Sequence, residues 1–332
     1  MLYFPTFSNY ILMTVLTRCC IFLWLFLYHS EVLPSPVFWG FGAHKFINRM
    51  AVYRLPPEMA PLFKKNIDII SENAVNPDRR RYSVVGEAEK HYIDLDAYGD
   101  SAAFLPRDWN NAVRKFGEDS LRKHGIAPWH LQQHVRRLTE AFRRRNPALI
   151  VKLATDMGHY IADIHVPLHT TRNYNGQFTG QEGIHAFWES RLPELYAESY
   201  DLWIGTVRYI ENPAEVIWET VFRTHAGCDS VLRLERKISE GIPKDRLYSH
   251  EVRNNALVRL QSREFAEKYH RELDGQVERQ MKAAIRLAGD LWYTCWVDAG
   301  QPELGTGETL YEDDSPDTTV RPLPQVRPEP DQ

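Results

Sequence analysis

The sequence is poor in cysteine, carries no excess of positive charge and contains no long apolar run. Only 4 of its 332 residues are cysteine, and two of these, Cys19 and Cys20, lie near the N-terminus. Cys228 and Cys295 are too few for a disulfide framework, so they either form one bridge or remain two buried thiols. A formal net charge of −4 excludes a whole-molecule basic field that would attract nucleic acid.

The first 38 residues have the character of a leader. This segment contains no lysine or aspartate, and Arg18 precedes an apolar run from Cys19 to Tyr28. That run is about half as long as the roughly 20 residues that a membrane-spanning helix needs. The pattern predicts a signal peptide over residues 1–38 and a secreted or periplasmic protein, with an uncleaved anchor as the alternative.

The rest of the chain shows helical rather than strand periodicity. The whole sequence has a hydrophobic fraction of 43% and a charged fraction of 25%, which are typical of a globular protein. We predict an all-α fold, with one multi-helix domain over residues 39–300 and a disordered Pro/Asp/Glu-rich tail over 301–332. Segments 76–105 and 170–183 are expected to be irregular. The predicted helices are 44–55, 58–75, 108–124, 129–145, 148–166, 184–202, 212–238 and 253–298.

One segment combines metal-ligand residue types with helical spacing. His159 and Asp163 are four residues apart, so a helix places both on one side. Pro167 disfavours helix at Val166 and is expected to end the helix there. The chain then turns, which allows His169 to approach the same side.

A second pair of this kind follows, since His185 and Glu189 are also four residues apart. Imidazole and carboxylate groups are ligands that zinc takes at about 2.0–2.2 Å. A single pair at this spacing is usually an ordinary hydrogen bond. Two pairs, with a third histidine after a proline stop, predict a metal site.

Further ligand types lie upstream. Asp78 and His91 occur in the irregular segment, and His44 follows soon after the predicted leader. If cleavage occurs before Trp39, its free α-amino group and its carbonyl oxygen can chelate a metal ion in a five-membered ring. His44, at the start of the first helix, would complete such a site.

Together, these motifs resemble the superfamily that joins zinc-dependent phospholipase C and the single-strand-specific nucleases of the S-one/P-one type. The resemblance implies an all-helical fold with three Zn²⁺ ions, two of them bridged by an aspartate. Carried over by position, it assigns Asp78, His91, His159 and Asp163 to the first zinc. It assigns His169, His185 and Glu189 to the second, and the Trp39 terminus, His44 and Asp163 to the third.

The implied activity is phosphodiester hydrolysis by a metal-bound hydroxide that attacks phosphorus in line. Three Zn²⁺ ions carry six positive charges, and the carboxylates of Asp78, Asp163 and Glu189 contribute only three negative charges. The site is therefore expected to be cationic and to attract an anionic phosphodiester. Asp78 is the candidate that orients or deprotonates the attacking water.

The substrate stays open between phospholipid and single-stranded nucleic acid. The short interval from His169 to His185, and glutamate rather than aspartate at Glu189, favour the phospholipase branch. The residue sequence from Asp163 to His169 and the presence of Arg81 favour the nuclease branch, in which Arg81 would contact phosphate. We expect no obligate protein partner, although transient contact with a membrane surface is consistent with the phospholipase interpretation.

Several alternatives accompany this interpretation. Arg81 belongs to the run Arg79–Arg81, which is otherwise a solvated charged patch. Asp94 either orients a ligating imidazole or forms an ordinary loop turn, and His165 is interpreted as a supporting or structural residue. The rival functional class is a non-enzymatic helical module in which zinc only stabilises the fold.

Overall fold

The computed structural model describes residues 40–253 and 256–305 and is mostly helical. Its α-helices are α1 (Gly40–Tyr53), α2 (Ala60–Lys65), α3 (Ile67–Glu72), α4 (Asn76–Arg81), α5 (Trp109–Phe116), α6 (Glu118–Lys123), α7 (Ala127–Arg143), α8 (Pro147–Asp163), α9 (Ile184–Ala186), α10 (Leu192–Tyr196), α11 (Pro213–His225), α12 (Cys228–Glu240), α13 (Arg263–Glu272) and α14 (Gln276–Asp298). A π-helical turn, Phe187–Arg191, joins α9 to α10.

Shorter elements complete the described part of the chain. The 3₁₀ turns are Asn73–Val75, Ala88–Lys90, Leu95–Phe104, Pro167–Thr170, Ala197–Ser199 and Lys244–Arg246. Two antiparallel strands, β1 (Tyr248–Arg253) and β2 (Ala256–Gln261), form the one sheet described. The predicted leader, Trp39 and the part of the predicted tail after residue 305 lie outside the described residues.

Helix α8 lies at the centre of the fold. It packs against α1, α7 and α14, and every residue from 153 to 171 is buried. Its start follows from sequence, since the Asn146 side chain accepts a hydrogen bond from Leu149 N (3.1 Å) and Pro147 occupies the first turn. Because the C-terminal half of α8 is buried on all sides, the polar residues of its last turns lie in the interior.

Helices α1 and α8 approach each other closely at Gly158. The Asn48 side-chain amide, on α1, donates hydrogen bonds to Thr155 O (3.1 Å) and Ile70 O (3.3 Å) and is fully buried. A Cβ atom on residue 158 would lie 1.8 Å from Asn48 Oδ1. Glycine is therefore required for this crossing, which holds the helix that carries His44 against the helix that carries His159.

We expect Gly158→Ala to destabilise the protein by about 1–3 kcal/mol, because the added methyl group must displace Asn48 from its hydrogen bonds. At a solvent-exposed position in a helix, glycine to alanine would instead stabilise the protein by about 1 kcal/mol. The sign of the stability change therefore tests whether the two helices are in close contact at residue 158. Urea unfolding measures the effect. Gly241→Ala is the matched control, because its Cβ would meet nothing nearer than 3.5 Å, and it should change stability by less than about 0.5 kcal/mol. A Gly158→Ala variant as stable as the parent would contradict the close crossing.

The predicted all-α class is confirmed at the level of a mostly helical chain, but the expectation of no strand is wrong. The region predicted as one helix over 253–298 begins instead with the β1–β2 hairpin. The half-buried side of β1 is polar, since Glu251 pairs with Arg191 and Arg253 pairs with Glu194. Because ion pairs replace apolar contacts there, β1 lacks the regular apolar alternation by which strands are recognised.

Several predicted helices are divided in the structure. The 58–75 segment breaks at Asn66, 108–124 breaks at Gly117, and 212–238 breaks between His225 and Cys228. Gly117 has φ +78°, a conformation that suits glycine and interrupts a helix. The predicted helix 184–202 ends at Ser199 and contains the π turn, whereas the loop 170–183 is confirmed after the turn that ends at Thr170.

The two remaining cysteines are free and buried in different places. Cys228 donates to Pro167 O (3.0 Å), and Cys295, on α14, donates to Val135 O (3.5 Å). Burial raises the pKa of each thiol to about 12, so neither is a ready nucleophile. Within the described ranges, no helix has both the length and the apolar character needed to cross a membrane.

Candidate metal centre

The C-terminal end of α8 supplies the first part of a buried polar cluster. His159 and Asp163 lie on its last two turns, 0% and 1% exposed. The helix ends at Asp163 rather than at the predicted Val166, which is extended (φ −90°, ψ 116°) as expected before proline. The following 3₁₀ turn places His169 beside the same cluster.

The second His–carboxylate pair lies on an unusual helical turn. His185 belongs to α9 and Glu189 to the π turn, and Gly183 precedes them with φ +93°. His185 Nε2 lies 2.7 Å from Glu189 Oε2. The wide turn therefore keeps both side chains on the same side, and π turns are common at functional sites.

The upstream residues converge on these two pairs from distant parts of the chain. His44 extends from α1, Asp78 from the first turn of α4, and His91 follows the 3₁₀ turn Ala88–Lys90. All three are buried. Of the predicted ligands, only Trp39 lies outside the described residues, so its predicted role stays a prediction.

The first group has the dimensions of a metal cage. His91 Nδ1 lies 3.0 Å from both His159 Nε2 and Asp163 Oδ2, and 3.4 Å from Asp78 Oδ1. His159 Nε2 lies 3.3 Å from each of these carboxylate oxygens. Ligands at 2.0–2.2 Å from a tetrahedral zinc ion would be about 3.3–3.6 Å apart, which is close to these separations.

Two further groups adjoin the first. His169 Nε2 and His185 Nε2 lie 3.3 and 2.7 Å from Glu189 Oε2. His44 Nε2 lies 3.3 Å from the other oxygen of Glu189 and 3.6 Å from Asp163 Oδ1. Asp163 and Glu189 therefore each face two groups, one through each oxygen, and the predicted bridging position of Asp163 agrees with this arrangement.

Backbone carbonyls fix the orientation of three imidazole rings. Carbonyl oxygens only accept hydrogen bonds, so the Nδ1 atoms facing them carry the proton and the Nε2 atoms face the cluster. His159 Nδ1 donates to Ala74 O (2.8 Å). In the same way, His169 Nδ1 donates to His91 O (2.7 Å), and His185 Nδ1 donates to Tyr174 O (3.1 Å). When neutral, these three histidines direct lone pairs into the cluster, as metal ligands do.

The buried carboxylates are held ionised by histidine. Burial by itself would raise the pKa of Asp163, but His159 and His169 outweigh it and hold the pKa well below its usual range. Burial would likewise raise the pKa of Glu189, but the neighbouring histidines, His169 above all, hold it well below its usual range. Burial would lower the pKa of His159, but Asp163 and Asp78 outweigh it and raise this pKa well above that of an ordinary histidine.

This donor set fits a metal ion. The described part of the chain brings oxygen and nitrogen atoms of His, Asp and Glu residues within 4.8 Å of one another in adjoining buried groups, and each group can hold an ion. Imidazole and carboxylate suit Zn²⁺ and several other divalent metals. These residues can therefore hold a metal ion, and their chemistry does not select one divalent metal.

Other candidate residues have varied positions. Arg79 is exposed and Arg80 pairs with Asp156 and Glu87, whereas Arg81 is only 2% exposed. The solvated-patch interpretation is therefore wrong for Arg81, because α4 turns this side chain inward. His165 donates from Nδ1 to Ile161 O (2.7 Å), as a structural residue would. Asp94 lies beside His124, with 3.7 Å between Oδ2 and Nδ1.

A polar layer behind the cluster was missed by the sequence interpretation. The Tyr160 ring packs edge-on against His91 and His159, with centroids 5.3 and 5.4 Å apart, and its hydroxyl donates to Glu87. His130 is buried against the same ring, with the two centroids 4.7 Å apart. Tyr160 directly follows His159, so its position in a fully buried helix was the available signal.

We expect Zn²⁺ binding to the metal-free protein to release about one proton at pH 7 from His159. The raised pKa keeps this ring protonated without metal, and Nε2 must lose its proton to bind the ion. The release should vanish as pH rises above that pKa. Because protonated His159 must lose this proton to bind the ion, the zinc affinity should fall as pH falls below that pKa.

Calorimetry in buffers of different ionisation enthalpy measures this release. His250→Ala, at an exposed position on β1, is the matched control and should release the same number of protons as the parent. Zinc binding without proton release at pH 7 would show that His159 does not exchange a proton for the metal.

No protein-family model matches this chain, and no curated protein is significantly similar to it.

Proposed function

We propose that this protein is a zinc-dependent phosphodiester hydrolase with three Zn²⁺ ions. The observation that supports the proposal is the convergence of five histidines and three carboxylates in adjoining buried groups. Two carboxylates each face two groups, as ligands shared between neighbouring ions do. Sites that only stabilise a fold are usually closed and rich in thiolate, whereas this set contains no cysteine.

Bound Zn²⁺ ions supply Lewis acidity toward phosphoryl oxygens and lower the pKa of water from 15.7 toward about 7. The chain contributes position and charge. Its three buried carboxylates neutralise only half of the charge of three such ions, so the site attracts an anion. The carbonyl contacts of His159, His169 and His185 keep these rings in fixed orientations, which limits reorganisation during the reaction.

Asp78 is the residue proposed to orient the attacking water or to accept its proton. Its Oδ1 atom faces His159 and His91, and its Oδ2 atom is buried without a hydrogen-bond partner among the described residues. Burial would raise the pKa of Asp78, but the facing His159 and His91 hold it below its usual value. The carboxyl group is therefore ionised at neutral pH, with one oxygen available to accept a hydrogen bond.

Phospholipid is the proposed substrate, with single-stranded nucleic acid as the alternative from the same superfamily. The proposal rests on the sequence features that favour the phospholipase branch. Arg81 is buried rather than part of a solvated patch, and its proposed contact with phosphate remains the feature that favours nucleic acid.

The test is hydrolysis by zinc-loaded protein of bis(p-nitrophenyl) phosphate, short-chain phosphatidylcholine and single-stranded DNA, each with and without a chelator. We expect chelator-sensitive cleavage of the simple diester and faster cleavage of lipid than of DNA. Asp78→Asn should lower the rate while zinc content stays at two ions or more, and His250→Ala should match the parent.

Each other outcome has a definite meaning. Faster cleavage of DNA would overturn the lipid assignment and make Arg81→Met the next variant to assay. Stoichiometric zinc without turnover of any of the three substrates would overturn the enzyme proposal and favour the non-catalytic, zinc-stabilised module.

A further inference from the structure

A small cavity lies directly beside the candidate metal centre. It has a volume of about 30 Å³ and shares His44 and Glu189 with the third ligand group. A cavity needs at least about 10–15 Å³ to hold one water molecule, so this one has room for about two. Most of its lining is apolar, with Ile47 from α1, Val166 after α8 and Met281 from α14. Water in it must therefore be bound by the few polar atoms of the lining.

Two buried nitrogen atoms in this lining are complementary. His44 is 3% exposed and His165 is 2% exposed, and among the described residues neither His44 Nδ1 nor His165 Nε2 makes a hydrogen bond. His165 Nδ1 donates to Ile161 O (2.7 Å), so Nε2 is an acceptor in the neutral ring. His44 Nε2 faces Asp163 and Glu189, so with an ion in the third group Nε2 is the ligand and Nδ1 carries the proton. One atom is therefore a donor and the other an acceptor, and a water molecule can serve both.

His44 lacks the support that most other rings of the cluster have. His159, His169 and His185 each donate from Nδ1 to a backbone carbonyl. His91 Nε2 also has no partner among the described residues, but His91 lies outside the lining of this cavity. Metal-bound histidines almost always donate their second N–H group to a carboxylate, a carbonyl or water. Water in the cavity is the partner of this kind that His44 can reach.

Stacking alone does not fix the orientation of His44. Its ring stacks on His159, with the centroids 4.2 Å apart and an angle of 24° between the planes. This contact restrains the tilt of the ring, but a ring flipped by 180° would stack equally well and would exchange nitrogen and carbon positions. A hydrogen bond at Nδ1 selects one of the two orientations.

We propose that ordered water in this cavity accepts a hydrogen bond from His44 Nδ1 and donates one to His165 Nε2, which makes His165 a positioning residue for His44. The inference rests on the proposed function, because it concerns the ion that the third ligand group would hold. The bridge fixes the orientation in which His44 Nε2 faces Asp163 and Glu189. It also satisfies two buried nitrogen atoms that are costly when unpaired.

The first test compares His165→Phe with His165→Gln by competition of the zinc-loaded protein with a chelator. Both variants lose the Nδ1 bond to Ile161 O, but glutamine keeps an acceptor for the water and phenylalanine does not. His165→Phe should weaken the binding of one ion about tenfold to a hundredfold and leave the other two unchanged. His165→Gln should restore most of this affinity. His250→Phe, at an exposed position on β1, is the matched control and should bind zinc as the parent does.

A purely structural role of His165 would give a different pattern. Both variants would then lower the urea stability of the metal-free protein alike, because both lose the bond to Ile161 O, and both would bind zinc equally. Equal zinc affinity of His165→Phe and His165→Gln would therefore overturn the positioning role.

Ala284→Val tests the water without changing either histidine, and it serves also if His165→Phe does not fold. Ala284, on α14, lines the cavity and is 1% exposed, so the added methyl groups would occupy the space that the water needs. The variant should weaken the same ion about as much as His165→Phe does. The double variant should weaken it no further, because both changes break one bridge, and additive effects would contradict a shared water.

A high-resolution crystal structure of the zinc-loaded protein should show the water within hydrogen-bond distance of both nitrogen atoms. A parent protein that holds three zinc ions but no water between these atoms would overturn the inference and leave the proposed function intact. A parent protein that binds fewer than three zinc ions would contradict the proposed function itself.

Discussion

Asp163→Asn is expected to reduce the zinc content from three ions per chain to one. Both oxygens of Asp163 face ligand groups, Oδ2 toward His91 and His159 and Oδ1 toward His44. Asparagine keeps the shape of the side chain but supplies one neutral oxygen and one amide nitrogen that cannot bind a cation. The first and third ions therefore lose a charged ligand together, while the second keeps its full set.

The loss should also reduce hydrolysis of bis(p-nitrophenyl) phosphate by about a hundredfold to a thousandfold. Metal ions contribute several kcal/mol of charge stabilisation to such reactions, and each 1.36 kcal/mol corresponds to a factor of ten. Metal analysis after gel filtration measures the content, and steady-state kinetics measures the rate.

His185→Ala is the matched comparison, because this ring belongs to one ligand group alone, the second, with His169 and Glu189. It should cost one ion and leave two. Unchanged zinc content in Asp163→Asn would refute the bridging position, and loss of all three ions in His185→Ala would refute the division into groups.

Arg54→Met is expected to lower the free energy of unfolding by about 3–5 kcal/mol, the largest change in stability that we predict. Arg54, near the end of α1, is 5% exposed and pairs with Asp290 on α14 (2.8 Å). Its guanidinium also donates to the carbonyls of Gly205 (2.9 Å) and Thr206 (3.0 Å). One side chain thus joins α1, α14 and the extended segment 200–210.

The size of the effect follows from what the substitution leaves behind. Methionine fills part of the volume but removes the positive charge beside Asp290, which keeps a hydrogen bond from Arg208 N (3.0 Å), and leaves several buried carbonyl oxygens without the guanidinium. Removing one partner of a buried ion pair typically costs 3–5 kcal/mol. Arg54→Lys should recover only part of the loss, because an ammonium group cannot reproduce the planar fork.

Arg49→Met provides the control on the same helix. Arg49 pairs with Asp68, whose side chain is 81% exposed, so its loss should change stability by less than about 1 kcal/mol. Urea unfolding of the metal-free proteins separates the two variants. Equal stability of Arg54→Met and Arg49→Met would show that the buried pair is not a principal support of the fold.

The candidate ligands on residues 159–189 could be predicted from the sequence, because their spacing along the chain places them on the same side of a helix. His159 with Asp163, and His185 with Glu189, lie one helical turn apart, and a proline determines where α8 stops. These features depend on the geometry of a few adjacent residues. The breaks in the predicted helices at Asn66 and Gly117 were harder to predict from sequence, because the apolar spacing continues across both of them.

Tertiary packing decided the rest. His44, Asp78 and His91 reach the cluster only because α1 crosses α8 at Gly158 and α4 packs beside it, and no local spacing relates them to Asp163. The burial of Arg81 and the contacts of Tyr160 have the same origin. The sequence determined which chemical groups are present and which neighbours share a helix face. The packing of distant helices determined which of those groups meet, because side chains far apart along the chain are brought together only by the folded core.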